Sequence, residues 1–330
     1  MKECCIGNHI VIQDKIGSGT FSKIYKGFNK YSQSEVAIKK TKKLCCENEI
    51  TIMKTLKHEN ILQLQNSYDL DKEYIYLVLE YCCTDLSKYI KKHVRLSNDK
   101  CKDIFKQLTD GIHYLNTLHI VHRDLKPHNI LLKNNTIKIC DFGFACYSDD
   151  IDNKICGSPF YMAPEMLNKK NYDDTIDLWS LGIILLQMLN GEVPYSSTTI
   201  KDLKYEIVTI CFEKSLMHNT ETECKDLILQ MLQINPKERI KWSEFFNHKW
   251  INDKNKSIPI DIPEKSIDNN VSEPIFNNHF HCISDNDYLI INSPPQNNIS
   301  QYLTNKKEAE ISNISSFYNN LKKSIKYFSI

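Results

Sequence analysis

Between His122 and Gly143 the chain carries two carboxylates, an amide and two cations that could act together. The run His122-Arg123-Asp124-Leu125-Lys126-Pro127-His128-Asn129 is followed by the apolar pair Ile130-Leu131 and then by Asp141-Phe142-Gly143. Moving a phosphoryl group to a hydroxyl requires positioning, charge neutralisation and a handle on the hydroxyl proton. Asp124 could accept or orient that proton, and Lys126 could meet the transferring phosphate. Asn129 and Asp141 offer amide and carboxylate oxygens, which suit Mg²⁺, a hard ion that keeps several waters and takes few protein ligands. An isolated Asp or Lys is more often a surface charge, so the case rests on the elements that hold these residues.

Their order and spacing are similar to the catalytic loop and metal-binding signature of protein kinases, and from about Asn8 to Ile251 the chain resembles a eukaryotic-type serine/threonine protein kinase. The resemblance implies an α+β, bilobal protein kinase fold, with a small antiparallel β-rich N-lobe over about 9–80 and a larger, mainly helical C-lobe over about 84–251. It also implies ATP as donor, Mg²⁺ or Mn²⁺ as metal, and Ser or Thr hydroxyls of proteins as acceptors. Lys126, two residues after Asp124, follows the serine/threonine pattern; tyrosine kinases usually carry Ala or Arg nearby.

The preceding chain supplies candidates for holding a nucleotide. A strand from Ile10 to Ile16 meets Gly17-Ser18-Gly19-Thr20-Phe21-Ser22-Lys23-Ile24. A strand entering a glycine turn and leaving as a second strand lays backbone N–H groups over phosphates, because small residues permit that close approach. Taken alone, the stretch is equally a plain hairpin turn. Ser22 stands where the family pattern has its third glycine and is small enough to keep the turn. Val36-Ala37-Ile38-Lys39 follows at the place of the third N-lobe strand. A lone Lys in a strand is usually a solvated residue, but the resemblance pairs Lys39 with the α- and β-phosphates and with a Glu on the next helix, Glu49 in preference to Glu47. From Glu49 to Leu56, apolar positions 50, 53 and 56 recur at helical spacing. Only ten positions separate Lys39 from Glu49, fewer than the family pattern has, so a helix lacking its first turns is expected, still able to offer Glu49.

Leu62 to Ser67 and Tyr74 to Glu80 read as two more strands about the polar turn Asp69-Leu70-Asp71-Lys72. By resemblance Leu79 is the gatekeeper, the backbone of Glu80 to Cys82 is the adenine-binding hinge, and Ile16, Ala37 and Leu131 line the same site. The hinge is a residue shorter than in many members. Asp85 is placed to reach the ribose and is also a helix N-cap before Leu86-Ser87-Lys88-Tyr89-Ile90, and both can hold. From Asn98 to Leu118, apolar positions 101, 104, 105, 108, 112 and 115 form a helical core stripe. Leu131-Leu132 and Ile137-Lys138-Ile139-Cys140 bracket Asn134-Asn135, a hairpin signal that sets Asp141 at the foot of the cleft. The resemblance further implies that Phe142 and Gly143 support the metal site and that Asp177 braces the catalytic loop. It pairs Glu165, which closes the run Gly157-Ser158-Pro159-Phe160-Tyr161-Met162-Ala163-Pro164-Glu165, with Arg239.

Composition narrows the alternatives. With 41% hydrophobic and 25% charged residues the 330-residue chain can bury a large core. Lys and Arg total 42 against 41 Asp and Glu, so no general field attracts nucleic acid or anionic membrane. The apolar run Leu181 to Leu189 is too short for a transmembrane segment, and no secretory segment is read at the start, so a cytoplasmic protein is expected, in a host cytoplasm if the source is viral. The richness in Asn, Ile and Lys would suit an AT-rich genome, such as a protist's or a large DNA virus's. Thirteen scattered cysteines without a C-x-x-C pair read as reduced structural thiols rather than a zinc site. Residues 1–8 are an N-terminal extension, and 252–330 a largely flexible tail. The tail holds a strand-like run from Ser284 to Ile291 and, over 308–329, a stripe of Ile311, Ile314, Phe317, Leu321, Ile325 and Phe328. That helical face could pack back on a monomeric catalytic domain or dock a protein partner or membrane surface.

Control is where the pattern is unusual. In this family an Arg beside the catalytic Asp, here Arg123, implies a phosphate in the activation segment. Between Gly143 and Gly157 only Tyr147 and Ser148 carry hydroxyls, and Lys154 stands about where many members have the phosphorylated Thr. Asp149, Asp150 and Asp152 could supply the negative charge instead, giving activity without loop phosphorylation. The wording Asp141-Phe142-Gly143-Phe144-Ala145 and Cys156-Gly157-Ser158-Pro159 is most similar to the autophagy-initiation kinases. His128, where basic-directed kinases often have Glu, argues against a need for Arg before the acceptor. A pseudokinase scaffold is the competing class, supported by the short helix before Glu49; such proteins usually lose Lys39, Asp124 or Asp141 equivalents, all kept here.

Overall fold

The computed structural model describes residues 4–18, 22–70, 72–216 and 220–252. Gly19, Thr20 and Phe21 of the glycine turn, and the tail features at 284–291 and 308–329, lie outside the described residues. The N-lobe strands are β1 (Cys4–Ile6), β2 (His9–Ser18), β3 (Ser22–Asn29), β4 (Glu35–Lys42), β5 (Leu64–Tyr68) and β6 (Tyr74–Glu80), with helix α1 (Glu47–Thr55) between β4 and β5. They form one antiparallel sheet ordered β1-β2-β3-β4-β6-β5. β1 lies inside the stretch expected to be an N-terminal extension. It pairs with β2 across Gly7-Asn8, where Gly7 takes φ 55°, and it buries Ile6.

Strand alternation divides the sheet's two faces. Val36 and Ile38 of β4 join Ile6 and Val78 in a small core on one face, while Ala37 packs against the main core together with Leu77 and Leu79. Helix α1 contributes Ile52 and Met53 to that main core. At nine residues it is too short to be stable in isolation, so this burial holds it, at roughly 1.5–3 kcal/mol for each large apolar side chain.

The rest of the domain is mainly helical. β7 (Thr84–Asp85), α2 (Leu86–His93), α3 (Asn98–Thr117) and β8 (Ile120–Val121) lead to the catalytic loop. All six apolar positions of the α3 stripe are buried. β9 (Ile130–Lys133) and β10 (Thr136–Ile139) form the hairpin that delivers Asp141, turning at Asn134 with φ 54°, and β11 (Cys146–Tyr147) pairs with β8. The helices α4 (Pro164–Leu167), α5 (Ile176–Asn190), α6 (Ile200–Thr209), α7 (Phe212–Ser215), α8 (Thr222–Met231), α9 (Trp242–Phe246) and α10 (Lys249–Asn252) complete it. α5 is apolar on nearly every side and is the central helix of the lobe, as an all-round hydrophobic helix must be. It ends at Gly191, φ 91°, where a Cβ would come within 1.9 Å of the Val94 carbonyl oxygen, so only glycine fits. Among the described residues, no helix is long and apolar enough to cross a membrane.

Candidate active site

Sheet register sets the upper half of the site. Gly17 pairs with Ile24, Ile24 with Lys39 and Lys39 with Leu77, which lines up the start of the glycine turn, the lysine and the strand that leads to the hinge. Despite the short helix, Lys39 Nζ lies 2.6 Å from Glu49 Oε1, and it also lies 3.1 Å from Asp141 Oδ1. Burial alone would lower the lysine's pKa; the Asp141 and Glu49 carboxylates outweigh it and push it up, so Lys39 is a fixed cation.

The hinge carries a contact the sequence did not signal. The buried Glu80 carboxylate accepts from Gln63 N at 3.1 Å and pairs with Lys133 at 3.2 Å and Lys138 at 3.1 Å, tying the hinge to the β9–β10 hairpin. Leu79 is buried, and Cys82 is partly buried, its thiol pushed up to about 12 mainly by burial. Asp85 caps α2 by accepting from Lys88 N at 2.9 Å. Leu131, opposite it in the register, packs at the core's edge.

The catalytic loop hangs from Asp177. Its two carboxylate oxygens accept from His122 N at 2.7 Å and Arg123 N at 3.0 Å. These bonds hold Arg123 at φ 64°, a conformation that costs a non-glycine residue energy and that favours functional sites. Asp141 also sits at a left-handed φ of 65°. Within the loop, Lys126 Nζ is 2.9 Å from Asp124 Oδ2 and donates to Ser158 Oγ at 2.7 Å. Asn129 Nδ2 donates to the Asp124 carbonyl at 2.8 Å and to its Oδ2 at 3.1 Å. The buried His122 ring packs against Phe142 with its plane tilted by 54° and centroids 5.1 Å apart, and bonds the Cys140 carbonyl at 3.0 Å. The activation segment returns closely over this loop: at Gly157, φ 98°, a Cβ would meet the Arg123 carbonyl oxygen at 2.5 Å.

Arg123 reaches across that segment. Its Nε donates to the Phe144 carbonyl at 2.6 Å, and its Nη1 donates to Asp152 Oδ1 at 2.8 Å and Tyr172 Oη at 3.3 Å. Of the three aspartates considered from sequence, Asp152 makes this contact; Lys154 Nζ lies 2.7 Å from its other oxygen. Tyr172, unmarked in the sequence, also donates to the Lys154 carbonyl at 2.7 Å. Farther out, Arg239 and Glu165 form a two-pronged pair at 2.8 and 3.1 Å, with side chains 0% and 4% exposed. Removing one partner leaves a buried charge unpaired, so Arg239→Ala should destabilise the domain by ~3–5 kcal/mol, readable as a shifted urea midpoint. A loss within about 1 kcal/mol would contradict that account.

A six-stranded N-lobe on a helical C-lobe, with Lys39, Glu49, Asp124, Asn129 and Asp141 held in mutual contact or on adjoining loops, defines the bilobal kinase class of fold. Residues 10–251 match the model of the Protein kinase domain family, and the chain belongs to that family. It is 41% identical over 269 residues to the serine/threonine-protein kinase atg1 of Dictyostelium discoideum, covering 75% of this chain and 40% of that protein. It is 37% identical to serine/threonine-protein kinase ULK3 of Xenopus laevis, covering 73% and 55%, and 35% identical to human ULK1, covering 76% and 26%. The chain therefore spans about half or less of the length of these relatives. Their names fall in the autophagy-initiation group whose activation-segment wording this chain resembles.

Proposed function

We propose that the chain transfers the γ-phosphate of ATP to Ser or Thr hydroxyls of protein substrates, with Mg²⁺ or Mn²⁺ as metal. The observation that carries this reading is Lys39 Nζ placed 2.6 Å from Glu49 and 3.1 Å from Asp141, which joins the nucleotide side of the site to the metal side. It also speaks against the scaffold reading, which drew on the short helix. The donor set fits the ion: Asn129 gives its Nδ2 to Asp124 and keeps an amide oxygen, and Asp141 adds carboxylate oxygens, hard donors that suit Mg²⁺. When bound, the ion neutralises charge on the phosphates. Asp124 takes the hydroxyl proton as the acceptor oxygen bonds to phosphorus and the bond to ADP breaks, and Lys126 offsets charge on the transferring group. Magnesium-dependent transfer of labelled phosphate to casein or myelin basic protein, with Lys39→Met as control, tests the reading; no transfer by the wild type would favour a scaffold.

The same reading includes activity without loop phosphorylation, supported by the Arg123–Asp152 pair. Slight burial opposes ionisation of Asp152, but bonds from Lys154 and Arg123 hold its pKa down to about 2 against an ordinary 3.8. A depressed carboxylate pKa stabilises the fold above the unfolded value and loses that effect only as pH falls through the folded one. The pair should thus persist at any pH above about 4 and add no acid limb to the rate profile between about pH 5 and 8. Phosphatase-treated protein is expected to keep its turnover, and Asp152→Asn to lower it severalfold; activity abolished by the phosphatase would defeat this.

A further inference from the structure

One contact beside Glu49 is marked by nothing in the sequence pattern, and its meaning rests on the kinase reading above. Asn48, in the first turn of α1, donates its Nδ2 to the Ala145 carbonyl oxygen at 2.6 Å. Ala145 closes the short 3-10 turn Phe142–Phe144, and its own N–H donates back to the Phe142 carbonyl at 3.1 Å. The contacts close a circuit. Asp141 meets Lys39, Lys39 meets Glu49, the chain passes from Glu49 to Asn48, and Asn48 grips the turn that leads back to Asp141.

We propose that Asn48 is a positioning residue, whose amide locks the helix carrying Glu49 to the turn carrying Asp141 so that both carboxylates are presented to Lys39 together. The physical need follows from the length of α1. Ile52 and Met53 bury its middle, whereas Glu49 stands in the opening turn, where a nine-residue helix frays most readily. A side-chain bond from that turn to the segment after Gly143 restrains the fraying end. It also makes displacement of the helix and displacement of the turn one event.

A purely local role in helix stability gives the opposite expectation for one substitution. Asp in a first helical turn is favoured by the macrodipole, so Asn48→Asp would be neutral or stabilising. As a positioning residue, Asn48 must donate, and Asp would set an acceptor against the Ala145 carbonyl. In the full chain, Asn48→Ala and Asn48→Asp should lower kcat about threefold to tenfold, the scale of one lost hydrogen bond expressed as a rate, with KM for the protein substrate unchanged. Asn48→Gln, which keeps a donor, should stay within about twofold of the wild type. Hydrogen exchange over residues 142–147, which needs no turnover, should accelerate in Asn48→Asp. Wild-type kcat in Asn48→Asp, or equal losses in the Gln and Asp variants, overturns the assignment. If the wild type transfers no phosphate, the kinase reading fails on its own, and unchanged exchange in Asn48→Asp still overturns the coupling.

Discussion

Asp124→Asn is expected to reduce turnover at least ~10²-fold at saturating ATP and protein substrate, the usual scale of a general acid–base contribution. The substitution is nearly isosteric, and Asp124 is buried, so the loop should keep its shape. The chemistry changes instead. Asp124 Oδ2 now accepts from Lys126 Nζ at 2.9 Å and Asn129 Nδ2 at 3.1 Å. An amide in its place either turns its NH₂ toward those two donors or toward the hydroxyl, and in neither orientation can it take up a proton. KM for ATP should change little, because Lys39 and the hinge lie on other elements. Steady-state kinetics separates the two quantities, and full activity in the variant would reject the role.

The expected size of that loss depends on how firmly the loop is held. The backbone N–H groups of His122 and Arg123 donate to the Asp177 carboxylate and fix the loop, and Arg123 accepts a left-handed backbone to allow it. A side chain set this rigidly contributes through position as well as through its charge, since catalysis of phosphoryl transfer is largely positioning and electrostatics. The Asp152 and Tyr172 bonds to Arg123 extend the same bracing into the activation segment.

How much of this was legible in sequence depended on the range of each interaction. The loop from His122 to Asn129 announced itself because several chemical groups sit within one short run, and the α3 stripe because helical periodicity is local. The shortness of α1 could be counted directly from Lys39 to Glu49. β1 is not legible in the sequence because three residues carry too little pattern, although Gly7-Asn8 is a usable turn signal. Asn48 with Ala145, 97 positions apart, and Glu80 with Lys133, 53 apart, had no signal at all. Neither side chain belongs to a repeating pattern, and each finds its partner only when the fold brings distant backbone together.

Lys39→Met should lower turnover by ~10²-fold or more, the cost of removing one preorganised group from the charge-stabilising set. Met fills a similar unbranched volume, so lost charge rather than a cavity is the main change. The substitution also takes the cation away from two carboxylates, Glu49 and Asp141. Burial already pushes the Glu49 pKa up, and Lys39 is the group that opposes this shift, so its removal raises the pKa further. A carboxyl whose folded pKa lies above its unfolded value stabilises the fold at low pH and loses that effect as pH rises through the folded pKa. The Met variant should therefore be closer to wild-type stability near pH 5 than near pH 8, as urea melts at the two pH values would read. A variant equally stable at both, with turnover within about tenfold of the wild type, would place the Lys39 cation outside both the chemistry and the electrostatic balance of the site.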